Sequence, residues 1–122
     1  MARVLVIDGY DESRDASARA LRAAGHDVVA LEEEDEALEA LERGGADVVV
    51  LDLPLAEAEE AANAIRAAIS SGAPGAPAIL ALVDPSSPRH LREAAHASGI
   101  DYFFLRPCPP QEIVKHLRRL RL

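Results

Sequence analysis

The run Val48-Val49-Val50-Leu51 ends abruptly in Asp52. Four consecutive apolar residues, three of them β-branched, describe a strand buried on both faces of a parallel sheet. A carboxylate at the tip of such a strand is costly to desolvate, and it falls where open α/β sheets bind their ligands. Val4-Leu5-Val6-Ile7 repeats the pattern, ending in Asp8 and broken by Gly9. Parallel strands cannot be joined by tight hairpins, so runs of this kind demand crossover helices between them.

The rest of the chain supplies those helices. Asp11 or Ser13 caps a helix running to about Ala24, with Ala16, Ala20, Leu21 and Ala24 on one face and Gly25 as its stop. Asp27 to Leu31 reads as the second strand. Glu32 to Glu42 reads as the second helix, with Ala37, Leu38 and Leu41 on the buried side and Gly44-Gly45 as its end. Its acidic start, Glu32 to Glu36, is a solvated helix beginning that the dipole favours. The third strand spans Ala46 to Asp52, Leu53-Pro54-Leu55 is a loop, and Ala56 to Ser71 is a helix with Ala61, Ile65, Ala68 and Ile69 as its apolar stripe. Ser70 to Pro77, rich in Gly, Pro and Ser, is a loop too short to divide domains.

Ala78 to Val83 is strand four, ending at Asp84-Pro85. Ser86 or Ser87 caps a helix from Pro88 to Ala97, and Gly99 follows it. Asp101 to Leu105 is strand five, and a last helix begins at Pro109-Pro110-Gln111-Glu112 with Ile113, Val114, Leu117 and Leu120 inward. The sum is a single domain over residues 1–122, of class α/β: a three-layer α/β/α, flavodoxin-like (βα)5 architecture with a five-stranded parallel sheet. In its strand order, 2-1-3-4-5, strands one and three are neighbours at the switch point, so Asp8 and Asp52 face one crevice.

A net charge of -8 argues against a nucleic-acid surface, because phosphate binding rests on Lys and Arg. The single cysteine, Cys108, excludes an internal disulfide and a thiolate zinc cluster, and suits a reducing compartment. It reads as a small packing residue rather than a reactive thiol, although Arg106 is near enough to lower its pKa. No apolar stretch approaches membrane-spanning length, and the chain is expected to be cytoplasmic. The four histidines show no paired ligand spacing, and neither a P-loop nor G-x-G-x-x-G occurs.

Asp8, Asp52, and Asp11 or Glu12, would gather several carboxylates, each disfavouring ionisation of the others unless a cation sits among them. Hard oxygen ligands of this type suit Mg²⁺, which completes its shell with water and phosphoryl oxygen. A carboxylate so placed can attack phosphorus to give an acyl phosphate. Arg106, before Pro107, stands where a cation for the phosphoryl oxygens is needed.

These residues resemble the receiver (CheY-like) domains of two-component response regulators. The resemblance runs from Val4-Leu5-Val6-Ile7-Asp8 through Val49-Val50-Leu51-Asp52-Leu53 and Gly99-Ile100-Asp101-Tyr102-Phe103 to Arg106-Pro107. It implies Asp52 as phosphoacceptor, Asp8 as retained acid, Phe103 as switch aromatic, and Arg106 in place of a Lys that precedes a commonly cis Pro. It also implies a metal held by Asp8, Asp52 and the Pro54 backbone carbonyl. Several positions depart from the pattern. Gly9 replaces the second member of the acidic pair, which weakens Mg²⁺ binding unless Asp11 or Glu12 substitutes. The strand-four hydroxyl is absent, whether its position is Leu82 or Asp84. Arg106 presents a planar fork able to pair with Asp52 directly. Such departures mark an atypical receiver, or pseudo-receiver.

The expected function is thus a response-regulator receiver in a phosphorelay, not an enzyme, with phosphorylation at Asp52 impaired or absent and action through protein contacts. The alternative is a competent Mg²⁺-dependent phosphoacceptor. A haloacid-dehalogenase-type enzyme also begins with an apolar strand and Asp, but it wants a second Asp where Tyr10 stands. Expected partners are a histidine kinase or other signalling proteins, met on helix four, strand five and helix five, with a second copy of the chain as a further candidate. No effector domain is in view, so the chain acts alone or belongs to a longer regulator.

Overall fold

The computed structural model describes residues 1–69 and 76–122. Strands β1 (Arg3–Asp8), β2 (Asp27–Leu31), β3 (Val48–Asp52), β4 (Ala78–Val83) and β5 (Tyr102–Leu105) alternate with helices α1 (Asp11–Ala23), α2 (Glu34–Gly44), α3 (Leu55–Ala68), α4 (Pro88–Ser98) and α5 (Pro110–Arg119). The strands form one sheet in the order β2-β1-β3-β4-β5, and every pairing is parallel. The flavodoxin-like α/β architecture read from the alternation is the one observed.

Because successive side chains on a strand point to opposite faces, each strand feeds two cores. Leu5, Ile7, Val49, Leu51, Ile79 and Ala81 pack with Ala37, Ala40, Ala58, Ala61, Ala62 and Ile65 of α2 and α3. Val4, Val6, Val48, Val50, Leu80 and Leu82 pack with Ala18 and Leu21 of α1 and Ile113, Val114 and Leu117 of α5. The small residues of α3 let that helix lie close to the sheet.

Several boundaries differ from expectation, each for a local reason. Neither Asp11 nor Ser13 caps α1: the cap position is Tyr10, and no side chain caps it. The buried face of α1 is Ser17, Ala18 and Leu21, while Ala16 and Ala24 are exposed. Alanines occur all round this helix, so their spacing leaves the rotational phase undefined. Helix α2 starts at Glu34 rather than Glu32, because Glu33 and Glu36 form a reciprocal capping box that sets its first turn. Leu55 belongs to α3, not to the preceding loop, since the Pro54 carbonyl accepts from Ala58 N–H at 2.9 Å. That helix ends at Ala68, which is exposed, with Ile69 in extended backbone. The expected helix end at Ser70-Ser71 and the loop from Ser70 to Gly75 lie outside the described residues. Of the two serines before α4, Ser87 is the cap, accepting from His90 N–H at 3.1 Å. Asp101 precedes β5 because its carboxylate is committed to Ile79 N–H at 2.7 Å and to the Arg66 guanidinium at 2.8 Å.

Candidate functional site

Parallel pairing places Asp8 opposite Asp52, and Asp52 opposite Leu82, at the carboxyl ends of three adjacent strands. A cleft of about 700 Å³ opens there, lined by Tyr10, Ser13, Asp52, Pro54, Leu82, Asp84, Arg106, Pro107 and Cys108. Asp8 is fully buried at its floor.

Both Asp8 carboxylate oxygens are engaged by the chain that follows it. Tyr10 N–H donates to Oδ1 at 2.9 Å, and the Ser13 hydroxyl donates to Oδ2 at 2.5 Å. Arg14 donates to the Asp8 backbone carbonyl at 2.8 Å and pairs through its other terminal nitrogen with Asp11. Asp11 and Glu12 are therefore not brought to Asp52 as substitutes for an acid at Gly9: Asp11 is exposed on α1 and held by Arg14, and Glu12 is exposed beside it. Helix α1 begins at Asp11, so both residues stand in its exposed first turn.

Asp52 meets Arg106. The guanidinium donates to Asp52 Oδ1 from Nε at 3.1 Å and from Nη2 at 2.5 Å, and Nη2 also reaches the Leu53 carbonyl at 3.2 Å. Its Nη1 lies 3.5 Å from Asp84 Oδ1. The Arg106-Pro107 peptide bond is cis. Burial raises the Asp52 carboxyl above its ordinary value; Arg106 pulls it back, and the neighbouring Asp8 charge pushes it up again. The site thus opposes two adjacent carboxylates with one guanidinium and a set of neutral donors.

Leu82 is buried beside Asp52, which makes it the strand-four neighbour, while Asp84 lies beyond the strand end and is exposed. Of the two positions weighed from sequence, one walls the site and the other reaches Arg106. Phe103 is half-buried and packs against the core on the α2 and α3 side, away from the cleft lining. Cys108 lines the cleft, but its thiol is raised, by burial first and then by Glu112 and Asp52. Arg106, turned toward Asp52, is not among the groups that shift the thiol. Sequence reasoning missed Ser13 and the Tyr10 amide as partners of Asp8. The available signal was a hydroxyl one turn inside the helix that follows the Asp8 strand.

No family model matches the chain, and no curated protein matches it. Solved structures do. Chemotaxis protein CheY4 of Vibrio cholerae superposes with a TM-score of 0.81 at 26% identity, covering 98% of each chain. A two-component response regulator from Clostridium difficile gives 0.80 at 17% identity, over 99% of this chain and 97% of that one. A LuxR-family response regulator from Aurantimonas gives 0.77 at 26% identity, over 98% of this chain and 84% of that one.

Proposed function

We propose that this chain, whose fold is that of response-regulator receiver domains over its full length, serves two-component signalling as a receiver that works with Asp52 unphosphorylated, through protein contacts. The observation that carries this reading is the Arg106 guanidinium seated on Asp52 Oδ1 by two hydrogen bonds. An incoming phosphoryl group would have to displace that fork, and charge-assisted bonds of this kind are about twice as strong as neutral ones. Two further features agree with it. Leu82 offers an apolar wall where a hydroxyl would steady a phosphoryl oxygen, and Gly9 offers no carboxylate.

The residues present do not fit a hydrated Mg²⁺ ion. Asp8 has both oxygens committed to protein donors, and Asp52 Oδ1 is committed to Arg106. Among the described residues, no group of three His, Cys, Asp or Glu side chains is placed to hold a metal ion. A partner surface is supported at the sheet edge, where Tyr102 and Leu105 of the edge strand β5 are exposed hydrophobic residues.

The test is incubation of the full chain with a small phosphodonor and Mg²⁺, read by intact mass and with a competent receiver as positive control. No adduct is expected here. An acid-labile phosphoryl adduct that maps to Asp52 would establish the alternative, a competent phosphoacceptor.

A further inference from the structure

We infer that Arg106 is the resident cation of this site, a tethered guanidinium that takes the place of a divalent metal and itself keeps Mg²⁺ out. The inference deepens the reading above and rests on it for the receiver resemblance alone; the geometry is independent.

Arg106 reaches three oxygens from the ends of two adjacent strands: it donates to Asp52 Oδ1 and the Leu53 carbonyl after β3, and lies 3.5 Å from Asp84 Oδ1 after β4. Oxygen donors converging from separate segments are what a hard cation collects. A guanidinium does so without the cost of dehydrating Mg²⁺, stays charged at every pH the fold survives, and cannot diffuse away. A second cation entering the cleft would be repelled by it and would find Asp52 Oδ1 already taken. Asp8 is quieted separately, by Tyr10 N–H and the Ser13 hydroxyl, so a single fixed positive charge serves the carboxylate that remains.

The lost acid at Gly9 is therefore secondary. A Cβ at that position meets nothing within 4 Å, so a carboxylate can be added there without displacing a neighbour. Adding it while Arg106 remains leaves the site closed to metal. Removing the guanidinium leaves half-buried Asp52 without its counter-charge, a state that a divalent cation relieves by binding the folded form.

The experiment compares the full chain with Arg106→Gln, Gly9→Asp and the Gly9→Asp/Arg106→Gln double variant. Each is titrated with Mg²⁺ in thermal melts and with Mn²⁺ for paramagnetic broadening of backbone amides. The unsubstituted chain and Gly9→Asp are expected to show no saturable response. Arg106→Gln is expected to melt lower and to recover a few degrees of Tm saturably with Mg²⁺, with broadening centred on Asp8 and Asp52. The double variant binds about tenfold more tightly, through its extra carboxylate. Arg106→Met, neutral and of similar length, replaces Arg106→Gln in both arms if the latter does not fold.

Saturable Mg²⁺ binding at Asp8 and Asp52 in the unsubstituted chain would overturn the inference. So would folded position-106 variants that remain unresponsive with and without Gly9→Asp. The two readings fail separately. A phosphoryl adduct without any Mg²⁺ response removes the proposed function and leaves this inference standing. Mg²⁺ binding by the unsubstituted chain without an adduct does the reverse.

Discussion

The Asp52 carboxyl is raised above its ordinary value although a guanidinium donates to it twice, because burial and the Asp8 charge outweigh what those bonds contribute. The sign of the resulting pH dependence is definite. Between the ordinary value near 3.8 and the raised native value, the folded chain binds more protons at Asp52 than the unfolded chain. Stability from this group is therefore highest below that window and declines as pH rises through it. Carboxyl ¹³C NMR should find Asp52 titrating higher still in Arg106→Gln and lower in Asp8→Asn, while Asp52→Asn removes its share of the pH slope of unfolding. A double-mutant cycle on Asp52 and Arg106 should return a coupling of about 1–3 kcal/mol, the size for a hydrogen-bonded pair in one network. At this scale the strand-end rule made Asp8, Asp52 and Arg106 legible, since each closes a strand run. Ser13 and the Tyr10 amide were not legible, because a hydroxyl in a helix's first turn has many ordinary uses and a backbone N–H has no sequence signature.

Among the elements, α5 lies against β5 through an aromatic contact. The His116 ring meets Tyr102 edge-on with centroids 4.3 Å apart and Phe104 at 5.3 Å, and its Nε2 is buried without a hydrogen-bond partner among the described residues. Burial lowers the His116 pKa, and the Arg119 charge lowers it further. The unfolded chain therefore takes up a proton at His116 before the folded chain does. The contribution of this group to stability is complete above the ordinary value near 6.5 and is lost as pH falls below it. Denaturant unfolding at neutral and mildly acidic pH should show that loss in the unsubstituted chain and a smaller one in His116→Phe, which keeps the ring packing. None of this was visible in sequence, where His116 was one of four histidines without ligand spacing. The phase of α1 was also hidden, since only Leu21 distinguishes its buried side from its many alanines. Helix α4 was readable because Ser87, Pro88 and Gly99 punctuate it at both ends.

For the whole molecule, the sheet is shared by two cores. Ile79 is fully buried on the side of α2 and α3, and Leu117 is fully buried on the side of α1 and α5. Ile79→Ala and Leu117→Ala should each cost about 3 kcal/mol in urea unfolding, within the range for large-to-small changes in a packed core. Because each strand contributes to both cores, neither face can be lost while the other persists. Both variants should keep a single transition with an unchanged m-value.

The alternation of short β-branched runs with helical segments determined by itself that this chain forms a parallel five-stranded α/β sheet, because such runs can bury both faces only between two helical layers. Taken with the flavodoxin-like strand order, in which strands one and three are neighbours, it also set Asp8 beside Asp52. Only the tertiary structure decided how those carboxylates are satisfied. Asp8 finds its donors within five residues, and Asp52 finds its own from Arg106, fifty-four residues away. It also set Leu82, rather than Asp84, beside Asp52. The periodicity of a strand reports which face is buried, whereas the direction of a guanidinium fork follows from packing that no local pattern records.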